Sequence, residues 1–541
     1  MIKNILDNII KLTYQKNFKE IIIKSKKLFS FKLIKFLAIK ILLIDTRKKI
    51  YLNPELPIIQ LKLINFYINH LEDRDFQFLF NKIYNRFEKS NHNLSLGYAN
   101  LANKYVQTFI KGEYEELNLV SKNLINYQRR FFSLYPRLKN FKNLYLDPNF
   151  GIALGHYSYL DIISKAIYLR KIKKKVYFFC NDKNFLFFQE IFKNINIIYT
   201  KNANLDYEIQ NHILKNINKK DSKLIKNMYH NQPMFFNFFK INFFFHNYEN
   251  KIYPFWQYGE IISSNFNKLN LNQKKLFEKN KKAFKEKNYF TKKTFWKKLI
   301  AFFQFDKHNN ESKIDYVCIH VRENGYHRSW NRSKPSLRNS KFKNYFDAIK
   351  YLNKNGITVY RLGDSTMSST SYKHKLFFDI SKKKVSFRDQ ISLISNSKFC
   401  IFTNSGMSLF SSIFNVPNLY TNWVPIFILN WTPNDIFINK LILNTKTKKY
   451  LTINQMLNNF TSKSQFKKDY DLNKSYKIID NFSDDILNST ININSEIDKS
   501  TLLKLNYNQK KIKTLLKKKN AVSLPKICPL FLKKYKLLNI N

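Results

Sequence analysis

The sequence of 541 residues predicts an α/β protein in which an α-helical N-terminal region precedes two Rossmann-like domains. From residue 143 onward, short apolar runs alternate with amphipathic helical segments, a pattern typical of parallel sheets with right-handed crossovers. A hydrophobic content of 44% and an aromatic content of 16% are those of a folded protein. The length allows two or three domains, each with its own core.

Five segments follow from the patterning along the chain. Apolar residues at helical spacing predict helices over 1–140, either a plain helical cap or a weakly tetratricopeptide-like array. A first Rossmann-like domain is expected over 141–265 and a Lys-rich helical connector over 266–312. A second Rossmann-like domain then covers 313–440, and a polar helical extension covers 441–541.

The first α/β domain is predicted from a helix over Leu160–Leu169 between extended runs. The strand Lys175–Cys180 follows the helix, and Ile195–Thr200 is the next strand. Before the helix, Gly155-His156 forms a turn at a strand-to-helix junction. We therefore expect His156 to face the ligand crevice, where it is a candidate base for an acceptor hydroxyl. Asp161 is the alternative base.

The second α/β domain has the clearest pattern. Compact apolar strands are predicted at 316–321, 357–360 and 398–403. Phe342, Tyr345, Ile349 and Leu352 share one helical face, and Asn355-Gly356 ends that helix as a C-cap would.

The net charge of +56 does not by itself indicate a nucleic-acid-binding protein. The cations are 81 Lys and only 13 Arg, and the chain is also crowded with Asn, Ile, Phe and Tyr, which share AT-rich codons with Lys. Genome bias therefore explains most of the Lys, which is scattered and accompanies no RNP-like, KH-like or zinc-finger pattern. We predict no dedicated nucleic-acid binding, although the charge favours peripheral contact with anionic membrane.

The cysteines indicate a reducing compartment. The four residues have no CxxC spacing, and two of them, Cys318 and Cys400, lie in apolar runs predicted to be buried strands. The N-terminus lacks a signal-peptide core, and lysines interrupt the richest apolar stretch. We therefore expect a cytoplasmic protein that is compatible with peripheral contact at the inner membrane.

Arginine is concentrated where the strands of the second domain end. Six of the 13 Arg lie between Arg322 and Arg388, where an even spread would place fewer than two. Four of the nine Gly, at 325, 356, 363 and 406, lie in or beside the same segment. Since Lys is the default cation of this chain, Arg indicates positions that need a planar fork of donors, as a phosphate does.

Two strand ends in this segment supply candidate site residues. At the first, His320 and Arg322 share a face, and Arg322 is placed to clamp a diphosphate. His320 or the nearby His327 is a candidate proton relay or phosphate ligand. The second strand end supplies candidate donor-binding residues, namely Arg361, Gly363 and Asp364. Asp364 either contacts a ribose, base or sugar hydroxyl or caps the next turn.

A third strand end leads into a helix predicted over 408–414 through a small polar loop, Asn404-Ser405-Gly406. Glycine lets a ligand approach the backbone closely, and the first amides of a helix attract phosphate. Together with Arg322, the loop predicts a diphosphate cradle at the carboxyl ends of three neighbouring strands. No DxD motif stands where a metal-dependent transferase would need one, so we expect neither a metal nor a cofactor.

Taken in order, HVRENGYHRS, RNS, YFDAIKYLNKNGITVYRLGD and KFCIFTNSGMS resemble bacterial glycosyltransferases of surface-polysaccharide pathways. These are distantly similar to nodulation-type and protein O-fucosyltransferases. The resemblance covers about 316–425 well and 143–260 in outline. It implies the GT-B fold, with two Rossmann-like domains facing a cleft and the donor bound mainly by the C-terminal one, without metal. It also makes Arg322 the donor-phosphate arginine, with Ser405 and Gly406 at the cradle.

The expected activity is transfer of a hexosyl or fucosyl group from a nucleotide-sugar to a hydroxyl of a surface glycan or lipid-linked acceptor, as in lipopolysaccharide, O-antigen or capsule synthesis. The fucosyltransferase relatives often have a basic-acidic pair where this chain has Glu323-Asn324-Gly325, which leaves the donor sugar open. Two alternatives remain at this stage. One is a basic helical adaptor that binds protein or nucleic acid through 1–140, and the other is a glycan phosphotransferase that uses the same cradle.

Overall fold

Seven parallel strands form the main sheet of the computed structural model. The structure describes residues 143–146, 154–202, 205–216, 247–248, 251–252, 255–286, 315–323, 337–383, 385–424, 426, 432–460, 475–518, 521 and 523–538. The strand order is β14-β11-β10-β9-β6-β7-β8, with β6 Tyr316–His320, β7 Thr358–Arg361, β8 Phe377–Asp379, β9 Phe399–Thr403, β10 Asn418–Trp423, β11 Ile436–Asn439 and β14 Lys526–Ile527. Every neighbouring pair in this sheet is parallel.

A second, three-stranded parallel sheet precedes it in the chain. Its order is β1-β2-β3, with β1 Asn143–Tyr145, β2 Lys175–Cys180 and β3 Asn196–Tyr199. The helix α1, Leu160–Leu169, and strand β2 have the predicted bounds. Two antiparallel pairs complete the strands, β4 Asn247–Tyr248 with β5 Lys251–Ile252 and β12 Leu441–Asn444 with β13 Tyr476–Ile479. The predicted α/β class with parallel sheets is confirmed.

The remaining helices connect and cover these sheets. They are α2 Phe188–Ile191, α3 Leu205–Asn216, α4 Phe255–Asn267, α5 over residues 271–286, α6 Phe346–Lys354, α7 Phe387–Asn396, α8 Phe410–Ile413, α9 Ile453–Phe460, α10 Ser483–Asp498, α11 Tyr507–Lys518 and α12 Pro529–Lys534. Single turns of 3-10 helix lie at Lys183–Phe185, Phe342–Tyr345 and Gly406–Leu409, and a longer one at Leu154–Tyr159.

The helix α6 shows how the sequence sets a helix end. Its apolar face is buried, and the preceding 3-10 turn continues that face. Asn355 is the C-cap, and Gly356 follows at φ +74°, a left-handed conformation that glycine adopts without a Cβ clash. The predicted C-cap is therefore confirmed.

Alternate residues of the central strands enter two different cores. Cys318 of β6 and Cys400 of β9 face a cluster that also contains α1, α2, α7 and α8. Their neighbours Val317 and Ile401 face a second cluster, filled by α6 and by α9 to α12. A parallel sheet requires cover on both faces. The segment predicted as a polar extension, 441–541, covers the second face and supplies the edge strand β14.

The first α/β segment packs against the helices α7 and α8, which cover the first face of the large sheet. Phe188 of α2 stacks on Phe410 of α8, with ring centroids 6.0 Å apart, and Phe185 meets Phe387 edge-on. Apart from residues 214–216, the described residues belong to one compact unit. The helices predicted over 1–140 lie outside the described residues. Within the described part of the chain, no helix has the length and hydropathy needed to cross a bilayer.

Candidate functional site

The carboxyl ends of β7, β6 and β9 lie side by side. We call this end of the large sheet its carboxyl edge. The three strands are adjacent and parallel, with Ile319 of β6 paired with Arg361 of β7 and with Ile401 of β9. The edge is therefore built from His320, Arg361 and Thr403, where the three strands end. Such an edge is the usual ligand position in open α/β sheets.

Arg322 is fixed at this edge by hydrogen bonds to its backbone and side chain. Its N–H donates to Thr403 Oγ1 at 2.8 Å, and its carbonyl accepts from the Ser340 N–H at 2.9 Å. Its Nε donates to Asn339 Oδ1 at 3.3 Å. The residue is 5% exposed. The chain thus leaves β6, returns at 339–340 and holds the guanidinium of Arg322 in a defined orientation.

His320 contacts the small polar loop that follows β9. Its Nδ1 lies 3.2 Å from Ser405 Oγ, so the two predicted elements at 320 and 405 meet in the structure. The pKa of His320 is lowered to about 4, with burial as the largest cause; Asp364 opposes the shift, and Arg322 and Arg361 act in the same direction as burial. The imidazole is neutral at pH 7 and serves as a hydrogen-bonding group.

The loop at Ser405 leads into a shorter helix than the sequence predicts. The predicted helix over 408–414 is instead a 3-10 turn, Gly406–Leu409, followed by the single α-turn α8. The first hydrogen bond of the turn runs from the Ser408 N–H to the Ser405 carbonyl, so the Gly406 and Met407 amides precede the ladder. A helix this short contributes little dipole. A phosphate would therefore be bound here by individual amides and not by a helix dipole. Asn404 instead donates through Nδ2 to the Val424 carbonyl at 2.6 Å.

Arg361 is buried in an ion-pair cluster behind the edge. Its Nη1 donates to Asp379 Oδ2 at 2.7 Å and its Nη2 to Glu323 Oε1 at 3.1 Å. The guanidinium carbon lies 3.9 Å from the centre of the Phe342 ring, and the residue is 1% exposed. Because Glu323 directly follows Arg322, this cluster anchors the loop that bears Arg322. The geometry favours an anchoring role for Arg361 over the predicted contact with a donor.

Gly363 and Asp364 also have local roles. Gly363 has φ +143°, and a Cβ there would lie 2.8 Å from Met367 Cε. The Gly363 N–H donates to Gln390 Oε1, and its carbonyl accepts from Gln390 Nε2. Asp364 is exposed, and its Oδ1 accepts from the Thr366 N–H at 2.9 Å. Of the two interpretations of Asp364, the structure shows the turn cap.

The predicted acceptor side of the site is described in part. The 3-10 helix Leu154–Tyr159, which bears His156, contacts the 3-10 helix that begins at Gly406. The segment predicted to face the cradle therefore adjoins it. The side chain of His156 and all of His327 lie outside the described residues.

Asp161 is held as a structural carboxylate. It is fully buried in the first turn of α1, 2.6 Å from Lys165 Nζ and 2.5 Å from Lys281 Nζ. Burial alone would raise the pKa of Asp161, but the two ammonium groups outweigh it and lower the pKa. A carboxylate paired in this way is a poor base. Of the two candidate bases, His156 therefore remains.

Sequence reasoning missed the residues that brace the edge from behind. Lys440, directly after β11, donates to the Asn339 carbonyl at 2.7 Å and pairs with Asp480 at 2.5 Å. Nearby, Asn481 and Asn422 each accept the other's backbone N–H through their side chains. Asn339 lies in the RNS motif and could have been found there, whereas Lys440 is one of 81 lysines.

Within the described ranges, no group of three or more His, Cys, Asp or Glu side chains is placed to hold a metal ion. The prediction of a metal-independent site stays a prediction.

An α/β protein with a buried arginine at the carboxyl edge of a parallel sheet is therefore the class that fold and site define. No protein-family model matches the chain, and comparison with characterised proteins gives no significant match.

Three of the solved structures similar to the chain are of bacterial glycosyltransferases. TibC from enterotoxigenic E. coli H10407, a dodecameric iron-containing glycosyltransferase, is 10% identical with a TM-score of 0.25, over 51% of this chain and 57% of TibC. A TibC heptosyltransferase complex with ADP-D-beta-D-heptose is 9% identical with a TM-score of 0.25, over 52% and 57%. E. coli ADP-heptose lps heptosyltransferase II is 10% identical with a TM-score of 0.33, over 56% and 90%. The chain thus spans just over half of TibC, and likeness at this level assigns neither donor nor acceptor.

Proposed function

We propose that the protein is a glycosyltransferase that binds the diphosphate of a nucleotide-sugar at the carboxyl edge of its large sheet. The observation that supports this most strongly is the position of Arg322. Arg322 is buried at the point where β6 and β9 end, with its backbone N–H bound to Thr403 Oγ1 and its guanidinium held by Asn339. Guanidinium is the side chain best matched to phosphate oxygens, and the adjacent Gly406 and Met407 amides supply further donors.

The proposed reaction has a balanced course. An acceptor oxygen forms a bond to the anomeric carbon, while the bond from that carbon to the diphosphate oxygen breaks and its electron pair leaves with the diphosphate. Arg322 and the loop amides stabilise the charge on the departing group. The acceptor hydroxyl loses its proton to a base, for which we propose His156. His320, neutral at pH 7, orients a hydroxyl or a phosphate oxygen by hydrogen bonding.

The GT-B arrangement is part of this proposal. The first α/β segment would receive the acceptor and the second the donor, since the 3-10 helix bearing His156 adjoins the Ser405-Gly406 loop. The acceptor would be a surface glycan or a lipid-linked precursor. A net charge of +56 favours peripheral contact with the anionic inner membrane, and all four cysteines are buried free thiols, as suits the cytoplasm.

Binding measurements on arginine variants test the proposal. Wild-type protein is titrated with ADP, GDP, UDP and inorganic pyrophosphate at fixed ionic strength, because phosphate contacts are salt-dependent. Arg322→Ala is expected to weaken binding about 10- to 100-fold, the equivalent of one charged hydrogen bond. Arg388→Ala is the matched control. It removes the same charge, and Arg388 pairs with Glu190 in another part of the fold.

The identity of the released product then separates the alternatives. Release of a free nucleoside diphosphate from a nucleotide-sugar supports glycosyl transfer, whereas phosphorylation of a glycan would support the phosphotransferase. Equal affinity of wild type and Arg322→Ala for all four probes would refute a diphosphate site at this edge. Binding of protein or nucleic acid that is indifferent to Arg322 would support the adaptor.

A further inference from the structure

The segment that bears Arg322 is supported by a lysine, Lys440, that lies at the end of another strand of the large sheet. Lys440 follows β11, three strands from β6 in the order β11-β10-β9-β6. Its side chain is only 4% exposed, and its own N–H donates to the Trp423 carbonyl at the end of β10. The position is thus set by the main sheet, although no motif marks it.

Asn339 accepts two hydrogen bonds, one at its backbone carbonyl and one at its side-chain carbonyl. The backbone carbonyl of Asn339 accepts from Lys440 Nζ at 2.7 Å, and its side-chain carbonyl accepts from Arg322 Nε at 3.3 Å. The next residue, Ser340, donates its N–H to the Arg322 carbonyl. Lys440 therefore fixes the backbone of the residue whose amide group orients the guanidinium.

Burying an ammonium group at this position is costly. Burial lowers the pKa of Lys440, and the Asp480 carboxylate opposes that shift. Asp480 directly precedes Asn481, whose Nδ2 donates to the Asn439 carbonyl and whose backbone carbonyl accepts from Asn344. The backbone next to Asp480 is thus fixed, which limits the movement of the carboxylate that holds Lys440.

We propose that Lys440 is a positioning residue for Arg322 and acts through Asn339. This inference rests on the proposed function, because its consequence is the affinity of the edge for a diphosphate. Without Lys440 the Asn339 carbonyl loses this donor, the segment 337–340 relaxes, and the guanidinium of Arg322 is held less firmly.

A matched pair of lysines provides the test. Lys526 is also buried, at 2% exposure, and its Nζ also binds one carboxylate, Glu496, and one backbone carbonyl, that of Lys504. Lys526 lies on the edge strand β14, and its contacts are away from Arg322. Lys440→Met and Lys526→Met therefore remove comparable interactions and are expected to lower the melting temperature similarly. Where a Met variant does not fold, the Lys→Gln pair replaces it.

The readout is the affinity for inorganic pyrophosphate, measured by calorimetry on the full chain. Lys440→Met is expected to weaken binding at least 10-fold, and Lys526→Met less than 2-fold. Asn339→Ala keeps the carbonyl that Lys440 binds but removes the link to Arg322. If Lys440 acts through Asn339, the double variant Lys440→Met/Asn339→Ala binds pyrophosphate no more than 2-fold more weakly than Asn339→Ala alone.

Four outcomes would overturn the inference. Additive losses in the double variant would mean that the charge of Lys440 acts on pyrophosphate directly. Equal losses in the two Lys→Met variants would mean a general effect of stability. Loss of binding in Arg322→Ala with none in Lys440→Met would refute the positioning role and leave the proposed function intact. Indifference to Arg322 itself would instead refute the diphosphate site, and the positioning role with it.

Discussion

Removing the guanidinium of Arg361 is expected to destabilise the protein strongly. The change Arg361→Met deletes two ion pairs, to Asp379 at 2.7 Å and Glu323 at 3.1 Å, together with a 2.9 Å bond from Nη1 to the Ser368 carbonyl. Both carboxylates are largely buried, at 16% and 11% side-chain exposure. Breaking a buried pair by removing one partner costs about 3–5 kcal/mol, because the remaining charge stays buried.

A second substitution, Arg361→Lys, separates charge from geometry. An ammonium group keeps the charge but lacks the planar fork that reaches both carboxylates, and it loses the flat contact with Phe342. We expect it to lose at least one charged hydrogen bond, about 1.5–3 kcal/mol. It should therefore be more stable than Arg361→Met and less stable than wild type.

Equilibrium unfolding in urea, followed by circular dichroism at pH 7, measures both losses. Neutralising the partners provides the control: Glu323→Gln and Asp379→Asn in the Arg361→Met background should recover part of the loss, since no charge is then stranded. A loss below about 1 kcal/mol in Arg361→Met, or a triple variant as unstable as the single one, would refute the argument from buried charge.

Two further predictions concern neighbouring residues of the same edge. The pKa of His320 is lowered to about 4 from about 6.5, so its contribution to stability is complete above pH 6.5 and is lost as the pH falls through 4. Wild type should lose about 3 kcal/mol more than His320→Asn between pH 6.5 and 4 in urea unfolding. Parallel stability curves would contradict a neutral, buried imidazole. Gly363→Ala should cost about 2–3 kcal/mol, through its positive φ and the approach to Met367, whereas Gly356→Ala, with open space around its Cβ, should cost about 1 kcal/mol in thermal unfolding. Equal losses of stability in the two Gly→Ala variants would contradict the argument from the close approach to Met367.

The fold was predictable where local and tertiary preferences agree. The strands β6 and β9 are apolar up to their last residues, His320 and Thr403, because both faces of a parallel sheet are covered, and every residue of each is buried. The strand β14 has only two residues, one of them Lys526, so no local pattern marks it. Its pairing with β11 depends on a strand about 90 residues earlier in the chain.

The site was predictable only to the level of a segment. Enrichment of arginine pointed to the carboxyl edge where Arg322 lies, but it could not distinguish Arg322 from Arg361. Both lie at the carboxyl end of an apolar strand, and both are positions where Lys would not supply a planar fork of donors. The two arginines differ because Arg361 pairs with Glu323 and Asp379, which lie 38 and 18 residues from it in the sequence. A buried double ion pair needs the planar fork as much as a phosphate does, so the enrichment reports a need for guanidinium and not its purpose.

The carboxyl edge also depends on residues for which the sequence pattern indicates no chemical role. Asp480 and Asn481 belong to the polar segment after 440, yet they hold Lys440 and Asn422 at the ends of β11 and β10. The helices α9 to α12 of the same segment fill the second face of the sheet. Residues on both sides of position 440 thus share one core, and removing the segment would expose that face and release the lysine behind Arg322. In the described part of this segment, polar residues such as Asn481, Ser489 and Thr490 are themselves buried, so a polar composition does not mark these residues as a solvated extension.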